Sequence, residues 1–111
     1  MTQYRHGQPV TVDYVLCCTR HQAYHTALRV WGWEATPEPM GVRSPDGNPV
    51  KLVSSARALA SIPVESTLYL AQRWQFAYEE PDGHRVEAVI AAHEARGGKV
   101  VRTVPPKVVD T

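Results

Sequence analysis

Residues 9–18 read PVTVDYVLCC and residues 19–32 read TRHQAYHTALRVWG, and the fold turns on how these two halves are taken. In the first, Val10, Val12, Tyr14 and Leu16 alternate with Thr11, Asp13 and Val15. A period of two with β-branched content marks a strand. Its second half is apolar on both faces, as befits a strand inside a sheet. In the second, Thr19 carries the hydroxyl that an N-cap uses to satisfy an unpaired backbone amide. Ala23 or Tyr24, Ala27, Leu28 and Trp31 then recur at spacings of three and four. Gly32 stands where a left-handed glycine closes a helix, and Trp33 is the apolar residue that packs back after it. Strand, short link, helix and glycine stop make the first half of a βαβ-like unit.

Outward from this unit the signals thin. Residues 1–8 are polar and are read as a flexible N-terminus. Residues 35–39 (ATPEP) form a stiff loop, and Pro45-Asp46-Gly47 is a turn that predicts a hairpin over about 40–53. Ser54 or Ser55 can cap a brief helix over 56–60. Residues 67–78 (TLYLAQRWQFAY) admit two readings. As a helix they place Leu70, Ala71, Trp74 and Tyr78 together, using good helix formers. As a strand they place Leu68, Leu70, Gln72, Trp74 and Phe76 on one face, which the aromatics favour and Gln72 spoils. Formers and length tip the reading to helix, with the strand as the open alternative. A second turn at 81–83 lets Asp82 cap a helix whose inner face is Val86, Val89, Ile90 and His93. Gly97-Gly98 ends it, and 99–104 reads as a strand. Residues 105–111 form a tail.

The expected fold is a single α+β, or small α/β, domain over 9–104. It has three to five strands, including the 40–53 hairpin, with two or three helices packed on the sheet. With so few strands an edge stays uncovered, and a homodimer is one way to pair it.

Composition removes whole classes of function. A chain of 111 residues holds one domain. Lys and Arg total 12 against 11 acids, for a net charge of +1, and they are scattered. That disfavours both non-specific nucleic-acid binding and a DNA-mimicking acidic surface. No apolar run approaches the roughly 20 residues of a membrane span, and no leader pattern opens the sequence. Cys17 and Cys18 are neighbours, too close for an ordinary disulfide, and read as reduced thiols in a cytoplasm. Ala, Gly, Pro and Arg, with GC-rich codons, number 37, against 14 for Phe, Tyr, Met, Ile, Asn and Lys. That bias fits a GC-rich bacterium or a phage of one.

The best chemical constellation is Cys17-Cys18-Thr19-Arg20-His21, with His25 four residues on. The predicted strand and helix put it at the carboxyl end of a strand, where open α/β sheets bind ligands. Three chemistries compete there. Cys18 is a candidate nucleophile with His21 beside it, although neither Cys-x-x-Cys nor a Cys-x5-Arg loop is present. Cys18, His21 and His25 are candidate metal ligands, because residues i and i+4 share a helix face; the pattern is incomplete, and no stoichiometric zinc and no cofactor are expected. Thr19, Arg20 and His21 are candidate anion binders at a helix start. Trp31 and Trp33 straddle Gly32, so one indole is expected in the core and the other at the surface as a partner anchor. Arg73, Arg85, Arg96, Lys99 and Arg102 lie among glutamates and read as a solvated mixed-charge face. The leading expectation is a non-enzymatic interaction protein, phage-encoded or accessory, that binds a host protein. The alternative is a small enzyme or an anion- or nucleotide-binding protein using the Cys18–His25 junction.

Overall fold

Strand-forming residues gather where both faces can be covered. In the computed structural model, which describes residues 3–5 and 8–102, the chain runs β1 (Gln3–Arg5), β2 (Gln8–Val10), β3 (Asp13–Leu16), α1 (Arg20–His25), a π-helical turn (Thr26–Val30), β4 (Glu34–Ala35), β5 (Val42–Arg43), β6 (Val50–Val53), α2 (Ala56–Leu59), β7 (Thr67–Leu70), a 3-10 turn (Trp74–Phe76), α3 (Val86–Ala95) and β8 (Lys99–Val101). The tail read at 105–111 lies outside the described residues.

Four strands form one parallel sheet in the order β6-β3-β7-β8. The remaining pairs, β1-β2 and β4-β5, are antiparallel ribbons. The expected α/β architecture is therefore present as a single parallel sheet with two small ribbons. The strand read over 10–18 is confined to Asp13–Leu16, and Val10 closes β2. The 40–53 hairpin is present around Gly47, whose N–H donates to the Ser44 carbonyl and whose φ is +83°. Its arms meet at an Arg43–Pro49 bridge, with the Ser44 N–H donating to the Asn48 carbonyl at 2.9 Å. Beyond that bridge β5 pairs with β4 and β6 joins the main sheet.

Side-chain alternation divides the core between the two sheet faces. Leu16, Leu68 and Leu70 point to one face and pack with Val53, Leu59, Val86 and Ile90. Val15, Cys17, Tyr69 and Ala71 point to the other and pack with Ala23, Ala27, Trp31 and Trp33. Parallel crossovers are right-handed. The chain leaves β3 toward β6 on one side and returns past β3 to reach β7 on the other, so α1 lies on one face and α2 and α3 on the opposite one.

Residues 67–78 correct the helix reading. Thr67–Leu70 is a strand with all four residues buried, lying between β3 and β8. A surface helix buries one stripe, whereas this segment is covered on both faces, so tertiary burial overrides the helix formers. The chain then breaks at Arg73, whose φ is +67°, and makes a single 3-10 turn. A second correction concerns α3. Asp82 does not cap it; Glu79 reaches forward seven residues, its Oε2 accepting from the Val86 N–H at 2.6 Å. The predicted inner face of Val86, Val89, Ile90 and His93 is buried throughout.

His93 also explains the second glycine of the pair that ends α3. Its Nε2 lies 3.0 Å from the Ser66 carbonyl, and its ring packs flat against the Gly98 backbone. A Cβ on Gly98 would sit 2.2 Å from that ring. Gly98→Ala is therefore expected to lower the unfolding free energy by about 1–3 kcal/mol, the usual cost of overpacking. Combined with His93→Ala, it should cost less than the sum of the two single losses, because the clash is gone. Urea denaturation of the single and double variants checks it.

At the other end of β3, Asp13 is buried and fully engaged. Its Oδ2 accepts from Ser44 Oγ at 2.7 Å and Asn48 Nδ2 at 3.1 Å, and its Oδ1 accepts from the Thr67 N–H at 2.9 Å. One carboxylate thus ties the hairpin turn, β3 and β7 together at the amino end of the sheet.

Candidate functional site

The site is built from two loops that leave neighbouring parallel strands. The chain departs β3 to one side and β7 to the other, and a crevice opens at the carboxyl ends of strands arranged in this way. After β7 the chain arches across the end of β3. The Ala71 N–H donates to the Leu16 carbonyl at 2.9 Å, Cys17 Sγ donates to the Gln72 carbonyl at 3.2 Å, and Tyr78 pairs with Ser54–Ser55 beyond β6. This strap roofs the end of β3. Between it and α1 remains a cleft of about 310 Å³ lined by Cys17, Gln22, His25, Thr26, Arg29, Val30, Gln72 and Arg73.

Thr19 begins α1 as its composition predicts, its Oγ1 accepting from the Gln22 N–H at 3.0 Å. Gln22, His25, Thr26 and Arg29 then fall on the face turned to the cleft. The helix widens to a π turn over Thr26–Val30, in which the Trp31 N–H donates to the Thr26 carbonyl five residues back at 2.9 Å. Gly32, at φ +71°, ends it as expected. The Trp33 N–H closes the stop on the Ala27 carbonyl at 2.8 Å.

That extra residue in the turn corrects the expectation for the tryptophans. Both indoles are buried, at 7% and 9% exposure. Their ring centroids are 5.0 Å apart, and the Trp33 ring stands edge-on to Tyr69 at 4.7 Å. Neither ring is displayed as a partner anchor. Burial in this cluster, with the charges of Asp13 and Asp46 adding to it, pushes the Tyr69 phenol up to about 12.

The predicted junction residues separate. Cys17 is buried on the α1 face, and burial raises its thiol above the ordinary range. Cys18 is half-buried and donates to Gln22 Oε1. His21, proposed as its neighbour, instead turns to His25, with the two Nε2 atoms 3.0 Å apart. The Cys18–His21 couple expected for a nucleophile is thus not assembled. The three candidate metal ligands do not converge either: among the described residues no three His, Cys, Asp or Glu side chains gather as a metal-binding group. Arg20 lines a separate groove with Pro39, Met40 and the edge strand residues Val50, Lys51 and Leu52, away from the anion site read at Thr19, Arg20 and His21.

Sequence reasoning missed Arg29, Gln72 and Arg73. Arg29 was within reach, because 21, 25 and 29 form one i, i+4 row. Arg73 sat inside a run read as a mixed-charge face. Arg102 pairs with Glu94 at 2.6 Å, as such a face would have it. Among the described residues neither Arg29 nor Arg73 has a carboxylate within ion-pair distance. Arg73 also holds a left-handed conformation that costs a non-glycine residue about 1–2 kcal/mol. Strain of this kind collects at functional sites.

The two thiols should differ in reactivity. Under native conditions Cys18 is expected to take up iodoacetamide first, with Cys17 following only as the domain opens, and two adducts forming at once in denaturant. A time course of intact mass checks this, and equal native rates would contradict the placement of Cys17 beneath the strap.

Compared with protein-family models, with curated proteins and with solved structures, the chain matches none of them.

Proposed function

We propose that this protein binds a small phosphate-bearing anion in the cleft between α1 and the strap, and performs no covalent chemistry there. The observation that carries this reading is the composition of the cleft. Two guanidinium groups, an imidazole, two amides, a hydroxyl and the Cys17 thiol line it, and among the described residues no carboxylate does. Guanidinium groups suit phosphate oxygens because they offer paired donors in a planar fork. A volume of about 310 Å³ lies at the small end of ligand pockets, which favours a compact ligand over an extended cofactor. The position, at the carboxyl ends of strands where the chain order reverses, is where parallel sheets bind such groups. Against nucleophilic catalysis, the cleft's own thiol is the buried Cys17, whose neutral form is favoured.

Calorimetric titration with inorganic pyrophosphate tests the proposal. Saturable binding is expected, weakened roughly 10- to 100-fold by Arg29→Ala or Arg73→Ala, the effect of losing one charged hydrogen-bonding group. Arg73→Gly separates binding from folding. Glycine accepts the left-handed backbone without strain, so stability should hold or rise by up to about 1 kcal/mol while affinity falls as in Arg73→Ala. Binding that is absent, or equal in all three variants, would overturn the proposal.

A second reading keeps a protein partner. Phe76 and Tyr78 stand on the outer side of the strap at 75% and 63% exposure, and exposed aromatics of this kind favour a contact surface. If they pair two copies of the chain, Phe76→Ser should halve the mass measured by light scattering and leave pyrophosphate binding unchanged.

A further inference from the structure

His25 lines the anion cleft, and its pairing with His21 carries a second chemistry that anion binding does not require. Both residues lie on α1 one turn apart, His21 exposed and His25 half-buried. Their Nε2 atoms are 3.0 Å apart and their ring centroids 4.5 Å, with the rings nearly perpendicular. Two nitrogens facing each other at this distance are held together by one proton, with one ring donating and the other accepting. The same two lone pairs can instead converge on an ion.

The spacing lets one ion take both nitrogens. Ligands bound at roughly 2.0–2.1 Å to one metal lie about 2.9 Å apart when they are at right angles and about 3.3 Å apart at the tetrahedral angle. The observed 3.0 Å, which is the length of the hydrogen bond between the rings, lies within a small side-chain adjustment of either. We propose that His21 and His25 form a two-histidine site for a divalent transition metal high in the affinity order, Cu(II) or Ni(II), with water completing its shell. Imidazole suits both ions, and both stand high in the affinity order for divalent metals. No third side chain of metal-binding type joins the pair among the described residues, which leaves several positions on the ion open. The site shares His25 with the cleft but needs no anion there, so it is tested without one.

Ni(II) is the probe of choice, since Cys18 could reduce Cu(II). Tag-free full-length protein titrated with Ni(II) by calorimetry is expected to bind one equivalent. Removing either ligand abolishes chelation and should weaken binding roughly tenfold or more. His21→Gln and His25→Gln, checked for an unchanged circular dichroism spectrum, test this, with the exposed His84→Gln as a control that should bind as the parent does. Should the His25 variant prove misfolded, His21→Gln alone decides, because His21 is exposed. Ni(II) binding that survives both substitutions would overturn the proposal, as would Zn(II) binding more tightly than Ni(II).

Discussion

Trp31→Ala and Trp33→Ala are each expected to lower the unfolding free energy by about 3–5 kcal/mol, the range for removing a buried aromatic ring. The two should behave alike, because the π turn brings both indoles to one side of the sheet, in contact with each other and with Tyr69. Neither cavity can collapse easily: Val15, Ala23 and Ala27, clustered with the rings, belong to β3, to α1 and to the π turn and are themselves buried. Such a loss is a large share of the roughly 5–15 kcal/mol that a domain holds, so both variants should be partly unfolded at physiological temperature. The double variant should cost less than the sum, since the rings share one pocket. Urea denaturation of the three proteins checks it. A single variant that loses its ring without losing stability would mean that its indole stands outside the core.

Asp13→Ala should cost a comparable amount, about 3–5 kcal/mol, by a different route. The carboxylate accepts from Ser44, Asn48 and the Thr67 N–H. Deleting it strands donors in a buried site, and each unsatisfied buried group costs on the order of 1–3 kcal/mol. The Thr67 N–H suffers most, because it is buried at the start of β7 with the Asp13 carboxylate as its acceptor. Asp13→Asn keeps one acceptor for that amide and should cost less than half as much. Hydrogen exchange at Thr67 gives the residue-level readout: protection should collapse in Asp13→Ala and persist in Asp13→Asn. Equal protection in the two would show that the carboxylate is not what holds the amino end of the sheet.

What the chain discloses before folding is its local grammar. The Thr19 cap, the Gly32 stop and the inner face of α3 are set by neighbours a few positions away, and the sequence reads them correctly, whereas of the strand read over 10–18 only Asp13–Leu16 forms β3. Three features escape it for one physical reason: they depend on what packs from far along the chain. Thr67–Leu70 is a strand because β3 and β8 flank it and helices cover both its faces. Asp13 has no partner among its sequence neighbours, yet it is buried because residues 44, 48 and 67 arrive to satisfy it. The tryptophans violate the assumption of 3.6 residues per turn, since a π turn inserts one residue just before them. The candidate site was legible in position but not in membership. The carboxyl end of the first parallel strand was identified, whereas Arg73 reaches it only because a non-glycine residue takes a left-handed turn, which no sequence pattern marks.

The location of the anion site is the claim on which the functional account rests, and a proton–nitrogen correlation spectrum recorded during titration with pyrophosphate tests it most directly. The account predicts saturable shifts at the backbone amides of Thr26, Arg29, Gln72 and Arg73 and at the side-chain Nε signals of the two arginines, with α3 and the Arg20–Lys51 groove undisturbed. Shifts confined to that groove or to α3, with Arg29 and Arg73 unmoved, would contradict it.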